Sequence, residues 1–224
     1  MKKAKRHIAL LLFLCLSSLI YAQEGYVELG VRGGNNVAFG NFSAITLKAE
    51  HNFGDNFAIK GGISQTSYER LATEVRPSYY YDLGFGRLNF EGLVHYASQN
   101  NLYTYALGGG VGITTTRFFA TFGYYYRALK GNSSTLTEPF NLYYRFGVSC
   151  LPEVKDWDLL VTFSNSHLLD LERHYQPSLS VDGWWHLSER LGATLGVCYK
   201  PTGIFHISTN YYQLYANFGV CYKW

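Results

Sequence analysis

A chain of 224 residues that is 47% hydrophobic, 17% aromatic and only 16% charged, with 23 glycines and 20 tyrosines, has room for one barrel or one to two ordinary domains, and it carries too little charge for a disordered chain. Its mean hydropathy of −0.08 excludes a bundle of apolar membrane helices, which needs several runs of about 20 apolar residues. The formal charge of +3 rests on Lys2, Lys3, Lys5 and Arg6; without these four, 15 of the 19 basic residues face 16 acidic ones, and no basic surface for nucleic acid is left.

Residues 1–22 have the grammar of a cleaved secretory signal. Lys2 to Arg6 form a positive start, Ile8 to Ile20 an apolar stretch too short to span a bilayer, and Ile20-Tyr21-Ala22 a small-residue cleavage site before Gln23. From there to the end the chain shows no linker, no charge block and no useful helical periodicity. Period-2 alternation recurs instead. Val27, Leu29 and Val31 alternate with Glu28, Gly30 and Arg32. The same two-faced pattern runs through 45–50, 57–64, 76–85, 88–96, 103–113, 118–127, 140–149, 158–164, 178–185, 190–200 and 212–224, which makes twelve segments.

A soluble sandwich also alternates, but it keeps its apolar face inside and its charges in water. Here the polar face is rich in Gly, Ser and Thr with isolated charges of both signs, and the apolar face carries aromatics near its ends. That distribution predicts an all-β fold: a single closed antiparallel transmembrane barrel of about twelve strands over 23–224, with a polar lumen and a lipid-facing band. Tyr96, Tyr103, Tyr126, Tyr175, Trp185, Tyr199, Tyr212, Tyr222 and Trp224 are the expected aromatic girdles. Brief turns are expected at Asn52–Asn56, Gly86-Arg87, Thr114–Thr116, Leu151–Asp156 and Ser188-Glu189. Longer joins are expected at Thr66–Glu74, Leu129–Glu138, Ser166–His174 and Pro201–Asn210, with Ser98–Asn101 as an exception. Short turns on one side place both termini in the periplasm.

The odd set Cys150, Cys198 and Cys221 does not look like a disulfide framework, and no CxxC or His-x3-His spacing supports zinc. Pairing of the last two strands sets Cys198 opposite about residue 216, roughly 17 Å from Cys221, too far for a bridge. No cofactor or metal signature is present.

The final eight residues, Asn217-Phe218-Gly219-Val220-Cys221-Tyr222-Lys223-Trp224, resemble the terminal signal of Gram-negative outer-membrane barrel proteins, with Asn217, Gly219, Tyr222 and Trp224 at the characteristic positions. The resemblance implies an outer-membrane location, outer-membrane lipids as surroundings, and the barrel-assembly machinery as a partner during insertion. It specifies no subfamily and no oligomeric state.

Twelve strands tilted about 40° enclose a Cα radius near 12 Å, from a strand spacing of about 4.8 Å. Inward Gly62, Gly108, Gly110, Gly112 and Gly196 open that space, inward Tyr80, Phe119, Tyr125, Tyr143, Trp184 and Tyr215 refill it, and no loop is long enough to enter as a plug. The charged lumen candidates are Glu28, Arg32, Lys48, Glu50, Lys60, Arg76, Asp82, Glu91, Arg127, Arg145, Asp158 and Asp182. Because both signs are interspersed, cross-strand ion pairs that stiffen the lumen are expected ahead of a selectivity lining. The function expected is a small passive channel or a structural barrel. One alternative is a membrane component of a surface or secretion assembly. Another is a lipid hydrolase using Ser164 and His167, although Phe163-Ser164-Asn165-Ser166-His167 reverses the His-x-Ser-Asn order of the barrel hydrolases it resembles in size.

Overall fold

The computed structural model describes residues 24–36, 40–151, 156–171, 176–200 and 212–224. The expected leader and Tyr175 lie outside them, and of Tyr212 only the backbone is described. Every element is a strand: β1 (Glu24–Asn36), β2 (Gly40–Phe53), β3 (Phe57–Thr66), β4 (Leu71–Asp82), β5 (Arg87–Gln99), β6 (Leu102–Thr114), β7 (Phe118–Lys130), β8 (Thr135–Ser149), β9 (Trp157–Ser164), β10 (Ser166–His167), β11 (Asp170–Leu171), β12 (Ser178–His186), β13 (Leu191–Tyr199) and β14 (Tyr212–Lys223). Twelve of these form one closed antiparallel barrel, β1 to β9 in order, then β12, β13 and β14, which pairs back onto β1. Closure leaves no sheet edge, which is the condition for placing a sheet in hydrocarbon.

The alternation read from the sequence becomes two surfaces. Leu29, Ile45, Leu107 and Leu195 point outward and are 60–63% exposed at mid-strand, a belt that would aggregate in water and is at home in lipid. Their neighbours in sequence, such as Glu28, Thr46, Ala106 and Thr194, are buried inside. Aromatics flank the belt at both ends. Trp157 and Trp185 stack with centroids 5.2 Å apart, and Tyr96 packs on Tyr105 at 5.2 Å. Outward Phe118 and Tyr126 on β7 are separated by roughly 26 Å of strand, or about 20 Å of height at a tilt of about 40°, close to the thickness of the apolar band.

One sequence expectation about the connections fails. Two of the four expected long joins are short: β4 already starts at Leu71 and β8 at Thr135, so only residues 67–70 and 131–134 remain as turns, whereas the join from Ser164 to Ser178 is long and Pro201–Asn210 lies outside the described residues. The reason is local. Ala72 and Glu74 are buried and continue the inward face of β4, while Thr135–Thr137 prolong β8 past the belt into an exposed ribbon. The β5–β6 connection is a two-residue turn in which Asn100 and Asn101 both adopt positive φ (46° and 64°), the conformation that matches the twist of a tight hairpin and that Asn tolerates. Cys150, Cys198 and Cys221 are free, and Cys198 pairs in register with Tyr215, six positions from Cys221.

Candidate functional site

Two kinds of inner wall meet in the lumen. On β6–β8, glycines lie under aromatic rings. The Tyr143 ring occupies the space a Cβ on Gly123 would need, its hydroxyl reaches over Gly110, and the Phe119 ring covers Gly147. Tyr125 and Tyr143 are 1% and 0% exposed and form a dry cluster with Leu93, Ala106 and Leu171. The glycines therefore do not open this side of the lumen; they let the rings lie flat against it.

Leu171 in that cluster is the second departure from expectation, because it comes from a loop. After Ser164 the chain leaves β9 and turns inward. Asn165 takes over the pairing with β8, its Oδ1 accepting the Tyr144 N–H (2.8 Å) and its Nδ2 donating to Leu142 O (2.9 Å). Residues 166–171 then fold into a hairpin, β10 against β11, inside the barrel. Barrel arginines and a glutamate hold its backbone. Arg76 Nη2 donates to Ser166 Oγ (2.8 Å) and to the His167 carbonyl (3.1 Å), and Arg70 donates to Leu169 O (3.3 Å). The Leu169 N–H donates to Glu74 (3.2 Å). Asp170 accepts from Arg32 (2.8 Å) and from the Tyr215 hydroxyl (3.3 Å). Leu169 is fully buried with φ of 73°, a left-handed backbone that a non-glycine residue keeps only when its surroundings impose it. Here both its N–H and its C=O are held by barrel side chains. The expectation that no loop enters the lumen is thus overturned.

Between the hairpin and the β12–β14, β1–β3 wall lies a cavity of about 310 Å³, lined among others by Glu28, Lys48, Lys60, His167, Asp182 and Thr194. Of the charged residues singled out from sequence, Glu28, Arg32, Arg76, Glu91 and Arg127 are buried, while Lys48, Glu50, Lys60, Arg145 and Asp182 are half-buried inside. Most are paired: Lys48 with Glu28 (2.7 Å), Lys60 with Glu50 (3.0 Å), Arg145 with Glu91 (2.8 Å), and Arg127 with Glu138 (2.7 Å). Arg76 bonds Glu74 and lies 3.4 Å from Glu91. Asp158 sits at the rim against His186 (3.0 Å) with half its side chain exposed. Asp82 is no lumen residue; it is exposed and accepts the Gly84 N–H (2.6 Å) in the β4–β5 turn. Glu74 and Arg70, which hold Leu169 of the hairpin, and Asp170, which the hairpin presents to Arg32 and Tyr215, were missed because they fall in stretches read as polar loops.

The hydrolase pair is not assembled. Ser164 Oγ accepts the Ser166 N–H (2.8 Å), and His167 Nε2 is engaged by Ser178 Oγ (2.7 Å). Ser178 donates its own proton to Ser164 O (2.7 Å), so His167 Nε2 is the donor in that contact and not a base toward Ser178. Ser164 and Ser166 are wholly buried, out of reach of a lipid ester on the exterior. These groups pin the hairpin to β9 and β12.

An apolar jacket on a closed twelve-stranded sheet, wrapped around a polar interior, makes this protein a transmembrane β-barrel of the outer-membrane class. Solved structures agree on the fold. The chain is similar to the KdgM porin (TM-score 0.56, 14% identity, 88% of this chain and 98% of that one), also solved in complex with disordered oligogalacturonate. It is similar to the NanC porin (0.55, 11%, 88% and 98%) and to the translocator domain of the autotransporter NalP from Neisseria meningitidis (0.52, 13%, 99% and 97%). No family model and no curated protein matches the sequence.

Proposed function

We propose that the protein is a porin-like channel of the Gram-negative outer membrane that passes small polar solutes, with the hairpin at residues 166–171 as its narrowest element. The observation that carries this reading is the cavity of about 310 Å³, with charged and polar residues in its lining, inside a lipid-jacketed barrel. The fold shared with porins supports it. The paired charges of the wall point to weak charge selectivity, since each cation is largely neutralised by its neighbour. In this reading the termini face the periplasm and the strand ending Asn217, Gly219, Tyr222 and Trp224 is read by the assembly machinery during insertion.

Reconstitution into planar bilayers tests the reading. Stable ohmic steps, with swelling of proteoliposomes in small sugars or amino acids and none in large oligosaccharides, are the expected result. Silence from well-folded protein would leave a structural barrel, a role the hairpin's close fit would also serve. Substitution of Trp224 is expected to reduce insertion in cells while leaving refolding into pure lipid intact.

A further inference from the structure

The β12–β14 side of the cavity contains hydrogen-bonding groups that no partner satisfies. Asp182 accepts from the Ser180 hydroxyl (2.8 Å) and, unlike Glu28, Glu50, Glu91 and Asp170, has no ion-pair partner among the described residues. A carboxylate withdrawn from water without a cation is costly, and a bound cationic group would offset that cost. Asp182 Oδ1 and Asn217 Oδ1 both lie within 2.6 Å of the place a Cβ on Gly196 would take, hence no more than 5.2 Å (twice 2.6) from each other. Two acceptor oxygens converge there over a bare glycine. Two residues back along β13, Thr194 is 8% exposed and lines the same cavity, yet its hydroxyl has no partner.

The lysines and arginine that line the cavity, Lys48, Lys60 and Arg32, each hold a carboxylate at 2.7–3.0 Å, which leaves an anion little to bind there. A purely apolar solute would strand every one of these groups. We infer that the cavity binds a small hydroxylated primary amine of amino-sugar size, its ammonium held by Asp182 and Asn217 and a hydroxyl by Thr194. The assignment deepens the channel reading, since it names the solute class retained in the path, but its test does not depend on conduction.

Isothermal titration calorimetry of the detergent-solubilised protein with glucosamine, glucose and N-acetylglucosamine gives the comparison. Glucosamine is expected to bind at least tenfold more tightly than either neutral analogue, and Asp182→Asn to abolish that advantage. Should Asp182→Asn fail to fold, Gly196→Ala, which crowds the two oxygens, is expected to weaken glucosamine in the same way. Equal binding of glucose, glucosamine binding unchanged by both variants, or no binding of any probe overturns the inference. Binding without conductance would refute the channel and keep the site; conductance without binding would do the reverse.

Discussion

The two halves of the lumen use glycine to opposite ends. On β6–β8, Gly110, Gly123 and Gly147 lie beneath Tyr143 and Phe119, and the space they free is consumed at once by these side chains and sealed by Leu171. On β13 and β14, Gly196 and Gly219 lie beneath Asp182, Asn217 and Glu28, flexible polar chains that fold back against the wall beside a cavity, although Gly192 lies under the Trp184 indole. A glycine on an inward face therefore says that something lies flat over it. What lies there decides whether the barrel is filled or open.

The largest effect that sharpens this comparison concerns the groups joining the two halves. Arg76→Ala removes the donor that binds Ser166 and His167 of the hairpin and leaves Glu74 and Glu91 buried without their shared guanidinium. A loss of about 3–5 kcal/mol in urea-unfolding measurements in lipid vesicles is expected. A loss below about 1 kcal/mol would mean that the hairpin is not held as described. Next come the glycines themselves. Gly123→Ala drives a methyl into the Tyr143 ring and toward the Gly109 carbonyl, neither of which can retreat, and should cost about 1–3 kcal/mol. Gly196→Ala meets only the ends of Asp182 and Asn217, which can swing into the cavity, and should cost less than about 1 kcal/mol. Equal costs would erase the distinction between the two walls. The smallest effect is at Asp82, exposed in its turn: Asp82→Asn keeps the contact to Gly84 and is expected to change stability by less than about 0.5 kcal/mol, with conductance unaltered.

Most of the barrel was legible in the sequence because hydrocarbon imposes a strict rule. Outward positions of a spanning strand are overwhelmingly apolar or aromatic, so Leu191, Ala193, Leu195, Val197 and Tyr199 announce both strand and face. The lumen was less legible because its inward positions obey no such rule. Glu74 looks like a loop residue until Arg76, Glu91 and His95 are seen around it. The hairpin carried a signal that was passed over: Leu168, Leu169 and Leu171 sit in what reads as a polar loop, and a rim loop in water has no use for three leucines. Their burial, 0% and 5% exposed for Leu169 and Leu171, is what draws the segment inside. The alternative reading of Ser164 and His167 as a hydrolase pair was open for a related reason, since a sequence motif does not reveal which serine a histidine will meet.

Single-channel recording of the native chain beside a variant with residues 166–171 replaced by a short Gly-Ser linker puts the central claim to its most direct trial. An inward hairpin predicts small steps for the native protein and several-fold larger ones once it is gone. Identical conductance from two well-folded barrels would show that these six residues do not stand in the path.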